Sequence, residues 1–117
     1  MVRGMVIDPS FGGGGVRPAL VFFERPELDR LLRLYGRMVA RGDWRDYAID
    51  GGRDCATFSV FRRSGENPLY RVEKRPALAR RQGAFSVIDQ GGLILRRSHE
   101  LEGVLQVFEA RKFRIVD

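Results

Sequence analysis

Residues 55–74 read CATFSVFRRSGENPLYRVEK, and the reading of this stretch decides the fold. Ala56, Phe58 and Val60 fall on one side of an extended chain, and Cys55, Thr57, Ser59 and Phe61 on the other. A period of two marks a strand, because successive side chains leave opposite faces of the pleat. SGEN at 64–67 supplies turn residues. LYRVEK at 69–74 then resumes the alternation, with Tyr70 and Val72 opposed to Arg71 and Glu73. Two such runs about a short polar turn predict an antiparallel hairpin.

Downstream the same logic repeats. AFSVID at 84–89 and LILRR at 93–97 flank the turn DQGG and predict a second hairpin. Between the hairpins lies EKRPALARRQG, 73–83. Pro76 suits the first residue of a short helical turn and Gly83 its stop, with Leu78 as the anchor to the core. Ser98 is a candidate N-cap for a closing helix, in which Leu101, Val104, Leu105 and Phe108 recur at helical spacing. Gly103 weakens that helix by about 1 kcal/mol relative to alanine. The end, KFRIVD at 112–117, reads as a short strand or a trailing terminus.

Upstream, the spacing predicts a helix from Pro26 to Arg41 with Leu28, Leu31, Leu32, Tyr35, Met38 and Val39 on its apolar face. Glu27 and Asp29 place negative charge at its positive end, and Gly42 follows as a stop. Arg30, Arg33, Arg37 and Arg41 form a second stripe, read as the solvated side of an amphipathic helix in preference to a contact for an acidic partner. GDWRDYAID at 42–50 reads as a helix-to-sheet connection in which Trp44, Tyr47 and Ile49 pack inward. ALVFFE at 19–24 is a short candidate strand, and an exposed edge there would allow a homodimer. The run Gly12–Gly15 resembles a phosphate loop only loosely, since no GK[ST] follows it, so residues 1–17 are expected to form a flexible N-terminal segment. The expectation is a single α+β domain over 18–117, an antiparallel sheet of four to five strands (two hairpins) packed by two helices.

The 117 residues carry 21 basic and 15 acidic side chains, a net charge of +6. Nineteen of the basic residues are arginine, which favours bidentate contact with phosphate or carboxylate. Residues 53–97 hold 10 basic and 4 acidic groups, so the excess lies in the middle of the chain. Uneven charge of this kind concerns association with anions rather than fold. Arg62, Arg63, Lys74, Arg75, Arg80, Arg81, Arg96 and Arg97 are therefore the candidate partner-binding residues, on the premise that they share one ridge at a sheet edge.

Catalytic constellations are sparse. One cysteine, Cys55, and one histidine, His99, exclude an intramolecular disulfide and most metal or triad arrangements. A Cys55–His99 pair remains open in space, but no activated-nucleophile motif accompanies it. Asp43, Asp46, Asp50 and Asp54 could serve acid–base work, yet Arg45 and Arg53 are interleaved and the spacing is not that of a calcium loop. Capping and pairing are preferred for these aspartates. No cofactor and no metal are expected, and no apolar run reaches the roughly 18 residues of a membrane span. No signal peptide is apparent, so a cytoplasmic protein with no membrane association is expected.

LDRLLRLYGRMVARGDWRDYAID, FSVFRR, PLYRVEKRPALARRQGAFSV and GGLILRRSHEL together resemble a family of small bacterial proteins known as a domain of unknown function, over about residues 20–108. The distinctive strings are YGRMVARGDWRDYAID and PLYRVEKRPALARRQG. The resemblance implies a self-contained bacterial cytoplasmic domain and transfers no catalytic or binding residue. With the charge pattern, the favoured reading is a small non-enzymatic binding or adaptor domain whose basic sheet edge meets an acidic protein partner. The alternative is a nucleic-acid-binding domain that uses the arginine-rich connector at 74–81; no standard nucleic-acid motif accompanies it.

Overall fold

Phe58 is 1% exposed and stands at the centre of the second strand of a five-stranded antiparallel sheet. The structure, a computed structural model, describes residues 20–63 and 65–116, with side chains up to residue 109. The strands are β1 (Asp46–Asp50), β2 (Ala56–Phe61), β3 (Tyr70–Lys74), β4 (Phe85–Asp89) and β5 (Ile94–Ser98). They pair in chain order, β1-β2-β3-β4-β5, so every connection joins neighbours. Helix α1 (Arg25–Ala40) precedes the sheet and α2 (Leu101–Val116) follows it. The fold is α+β, as expected, with GDWRDYAID contributing a fifth strand rather than only a connection. The glycine-rich segment 1–17, Ala19, Ser64 and Asp117 lie outside the described residues.

The alternation of residues 55–74 survives folding intact. Phe58 faces Val72, Val60 faces Tyr70, and Val72 in turn faces Val87. These side chains form one face, which joins Leu31 and Leu34 of α1 and Leu101, Val104, Leu105 and Phe108 of α2 in the core. Ser59, Arg71 and Ile88 stand in line on the opposite face. A register slip of one residue would exchange the two faces, which is why burial of one face specifies the pairing.

Helix α1 starts at a capping arrangement in which the Glu24 N–H donates to Glu27 Oε1 at 2.8 Å. Its buried residues are Leu31 and Leu34, with Leu28, Tyr35 and Met38 packed beside them. Leu32 and Val39, expected on the apolar face, are 37% and 39% exposed. The contact face is thus rotated toward Leu34, because α2 lies against that side. Arg30 pairs with Glu102 and Arg37 with Glu109. Equal steps of seven residues on both helices mean that they run parallel, side by side. The arginine stripe is therefore not simply a solvated face: two of its four members join the helices, and Arg41 pairs with Asp43 at 3.3 Å.

ALVFFE forms no strand among its described residues. Val21 makes a single bridge with Gly52, through N–H···O bonds of 2.7 and 3.2 Å, before Glu24 opens the helix. The extended run ends because the chain must turn into α1 within three residues, while Val21 and Phe23 remain buried in the core. The free edges of the sheet are β1 and β5. Residues 112–116, read as a short strand or trailing end, continue α2.

Close packing requires glycine at several positions, Gly83 and Gly103 among them. Gly83 has φ +101°, and a Cβ there would lie 2.5 Å from the Ser98 carbonyl. Gly103, costly to the helix on propensity alone, leaves room for the Ser98 side chain, whose Oγ would lie 2.2 Å from a Cβ at that position. Ser98 Oγ uses that room to accept the Glu100 N–H at 3.2 Å. Ser98 still ends β5, however, and α2 begins at Leu101, so this bond braces the turn ahead of the helix rather than making Ser98 its N-cap as expected.

An aromatic chain ties the layers together. Tyr47 stacks on Phe58 at 5.6 Å and meets Tyr35 edge-on at 4.7 Å, while Phe108 meets Trp44 at 5.3 Å and Tyr70 at 5.0 Å. Replacing Phe58 by alanine removes a fully enclosed ring, and urea denaturation should report a loss of about 3–5 kcal/mol. Burial, followed by Asp46 and then Tyr47, raises the Tyr35 hydroxyl above its ordinary pKa of 10.0. The folded state holds this proton more firmly than the unfolded chain, so its contribution is complete below about pH 10 and is lost as pH rises through the folded value. A Tyr35→Phe variant should lose less stability above pH 10 than the parent in the same denaturation series; equal losses would contradict this origin.

Candidate functional site

The candidate arginines and lysine are distributed between two ends of the sheet. Antiparallel register puts Ala56 beside Lys74 and Lys74 beside Phe85, and Phe85 beside Ser98. The β1–β2 turn, the β3–β4 connector and the β5–α2 junction therefore share one end. The opposite end holds the exit of β2, the β2–β3 turn, the β4–β5 turn and the C-terminal turn of α1. Five residue steps along β2 separate the two ends by roughly 17 Å. Arg75, Arg80 and Arg81 belong to the first end, and Arg97 lies near it on β5; Arg62 and Arg63 belong to the second. One ridge containing all eight residues is not what the register makes.

At the connector end, Lys74 turns inward. Its ammonium contacts Glu27 Oε1 at 2.8 Å and donates to the Phe22 carbonyl at 2.9 Å, with the side chain only 12% exposed. Arg75 follows at the strand exit and contacts Glu73 through Nε at 3.2 Å. The charge interaction with Cys55, followed by Glu73, holds the Arg75 guanidinium more firmly protonated. Pro76–Leu78 form the expected helical turn, of 3-10 type, and the N–H groups of Arg81, Gln82 and Gly83 converge on the Leu78 carbonyl at 2.9–3.1 Å. Leu78 itself is half-buried and stands outside the core cluster, so it does not anchor the connector. The anchor is instead backbone contact: Gly83 packs directly on Ser98, and Arg75 N–H bonds the Ala84 carbonyl at 2.7 Å.

Arg80 and Arg81 project from this turn, exposed, and Arg96 is exposed on β5 while Arg97 is half-buried opposite Ser86. No described carboxylate lies within ion-pair distance of these four. Arg71, which the sequence reading passed over, stands at the middle of the sheet face away from the helices, its Nε buried without a hydrogen-bond partner.

The catalytic constellations do not assemble. Cys55 immediately precedes β2 and contacts Thr57 at 3.7 Å, whereas His99 follows β5, three strand spacings or about 14 Å across the sheet. His99 instead lines a shallow cavity of about 300 Å³ with Glu27, Arg30 and Glu100. Asp43 pairs with Arg41, and Asp46 and Asp50 occupy the edge strand. Among the described residues no group of three or more His, Cys, Asp and Glu could hold a metal ion.

At the second end, Arg62 and Arg63 acquire a neighbour that the sequence reading did not assign. Arg45 lines the same cleft, of about 780 Å³, with Asp43 and Trp44. The signal for it lay in the register, since Asp46 faces Phe61 and so places the preceding arginine beside the β2 exit.

The sheet, α1 and the first turn of α2 fall within the span of one family model: the model described as protein of unknown function (DUF2794) matches residues 21–105. The chain belongs to this family. No curated protein and no solved structure matches the chain. The DUF2794 match opens at the bridge residue Val21 and closes at Leu105 within α2, one turn before the core residue Phe108. It takes in both groups of arginines. Among the described residues of this DUF2794 member no helix is long and apolar enough to cross a membrane.

If Lys74 is part of the frame rather than of a binding surface, its loss should appear in stability. Lys74→Met should cost about 1.5–3 kcal/mol by urea denaturation, because Glu27 and the Phe22 carbonyl lose a charged donor. Glu27→Gln, which keeps an acceptor, should cost less. A Lys74→Met protein as stable as the parent would return Lys74 to the candidate binding residues.

Proposed function

We propose that the chain is a non-enzymatic binding domain whose connector end meets an acidic protein partner. The observation that carries this reading is the contact of Gly83 with Ser98, which joins the β3–β4 connector to the end of β5. Arg80, Arg81, Arg96 and Arg97 thereby sit on adjoining segments, and no described carboxylate pairs with any of them. Exposed guanidinium groups attract an acidic surface over several ångströms and can then bind carboxylates in bidentate fashion. Lys74 and Arg75 serve the scaffold, so the contacting set is smaller than the charge pattern implies.

A protein is favoured over nucleic acid by the aromatic residues. Tyr70 and Phe85, the rings nearest the connector in sequence, belong to or pack against the core, with Phe85 7% exposed. Neither offers a free face on which a base can stack, and stacking supplies much of the affinity for single strands. A cytoplasmic setting suits such a domain.

Polyglutamate peptide and duplex DNA, titrated in parallel, test the proposal. The peptide should bind with an affinity that falls as salt rises, and Arg80→Ala, Arg81→Ala and Arg97→Ala together should weaken it by about tenfold or more. Peptide binding unchanged in the triple variant would overturn the reading. DNA bound more tightly than the peptide, with a steep salt slope lost in the same variant, would replace it with the nucleic-acid alternative.

A further inference from the structure

The cleft at the opposite end of the sheet has a different character. It is formed where the C-terminal turn of α1, the start of β1 and the exit of β2 converge, and Arg45, Arg62 and Arg63 line it. We propose that this cleft binds a small phosphorylated compound that also carries a hydroxyl group, of the sugar-phosphate class.

Charge is the first support. Arg41 is occupied by Asp43, but no described carboxylate comes within ion-pair distance of Arg45, Arg62 or Arg63. Three like charges around one concavity raise each other's energy, and an anion relieves that repulsion. The C-terminus of α1 contributes about half a negative charge here, which works against an anion but is smaller than three guanidinium charges.

Rigidity is the second. The Arg45 N–H donates to the Phe61 carbonyl at 2.8 Å, and the Arg45 carbonyl accepts the Tyr35 hydroxyl. Trp44, 5% exposed, is locked edge-on against Phe108. The backbone that carries Arg45 is thus fixed by the core, so little ordering is needed when a ligand enters. The cleft volume of about 780 Å³ suits a small molecule rather than a bare ion.

Asp43 supplies the third and most specific support. Its Oδ2 is enclosed beside Arg41 Nε at 3.3 Å, while the side chain as a whole is 35% exposed and lines the cleft through its remaining atoms, Oδ1 among them. The part of the carboxylate that faces the cleft is therefore open to a ligand hydroxyl, which can donate to it. A carboxylate repels phosphate, so its presence among the arginines selects for a ligand with a donor as well as an anion. Phosphate to the guanidinium groups and hydroxyl to Asp43 is the arrangement that uses all four side chains.

Amide and indole NMR shifts of the full chain, followed during titration with ribose 5-phosphate, orthophosphate and ribose at constant ionic strength, provide the test. Ribose 5-phosphate should give saturable shifts at Trp44, Arg45, Arg62 and Arg63 at millimolar concentration, orthophosphate weaker ones, and ribose none. Arg62→Gln with Arg63→Gln should weaken binding by about tenfold or more, while Arg80→Gln with Arg81→Gln should leave it unchanged. Asp43→Asn should strengthen orthophosphate and weaken ribose 5-phosphate, so the ratio of the two affinities moves toward one. The proposal is overturned if ribose 5-phosphate gives no saturable shift, or if the Arg80/Arg81 variant loses binding equally. It is overturned too if Asp43→Asn shifts both affinities alike. Because peptide binding at the connector is measured on the Arg80/Arg81/Arg97 triple variant, failure here and failure there are distinguishable.

Discussion

The Lys74 ammonium is the constraint on which the arrangement of layers depends. A lysine on the buried side of a central strand needs a partner, and Glu27 and the Phe22 carbonyl provide it within 2.9 Å. Glu27 Oε1 also accepts the Glu24 N–H that opens α1. One oxygen therefore serves the helix start and the sheet together, and it sets the first turn of α1 over β3. Apolar contacts alone would allow the helix to slide along the sheet, since burial is not directional. The charged contact defines the height at which it stops.

From that point the remaining geometry follows. With its first turn held, α1 presents Leu31 and Leu34 to the core and Arg30 and Arg37 to α2. The two helix–helix ion pairs are about half exposed, so each is worth little energetically, but together they fit the parallel alignment. The last turn of α1 then delivers Trp44 into the aromatic group with Phe108, and the chain enters β1 with Arg45 beside the exit of β2. The same helix placement thus builds the arginine-lined cleft at one end while leaving the connector end to β5. Two basic sites of different shape arise from one sheet: an exposed turn suited to a surface, and a concavity suited to a small molecule.

The hairpins were legible because their alternation is local and their turns are marked by Gly65 and Gly92. The two helices were legible from spacing. β1 was harder to read, because DYAID mixes two aspartates with its inward residues and follows a tryptophan that belongs to the core. ALVFFE misled for the opposite reason: its composition suits a strand, but Pro26 and the capping arrangement allow it only one bridge. Leu34 was missed as a core position because the apolar stripe of α1 is wide enough to face the sheet at several rotations, and only α2 selects one.

By itself, the sequence determined the class of fold, the buried face of each central strand and the surplus of arginine in the middle of the chain. All of these rest on periodicity or composition, which act over a few neighbouring residues. The tertiary structure decided which charges are spent on the frame and which remain free. Lys74 and Arg75 look alike in EKRPALARRQG, yet one is enclosed against Glu27 and the other half-exposed beside Glu73. It also decided that Arg62 and Arg63 stand with Arg45 rather than with Arg80 and Arg81. Charges act through space, and antiparallel pairing sends residues that are close in the chain to opposite ends of the sheet.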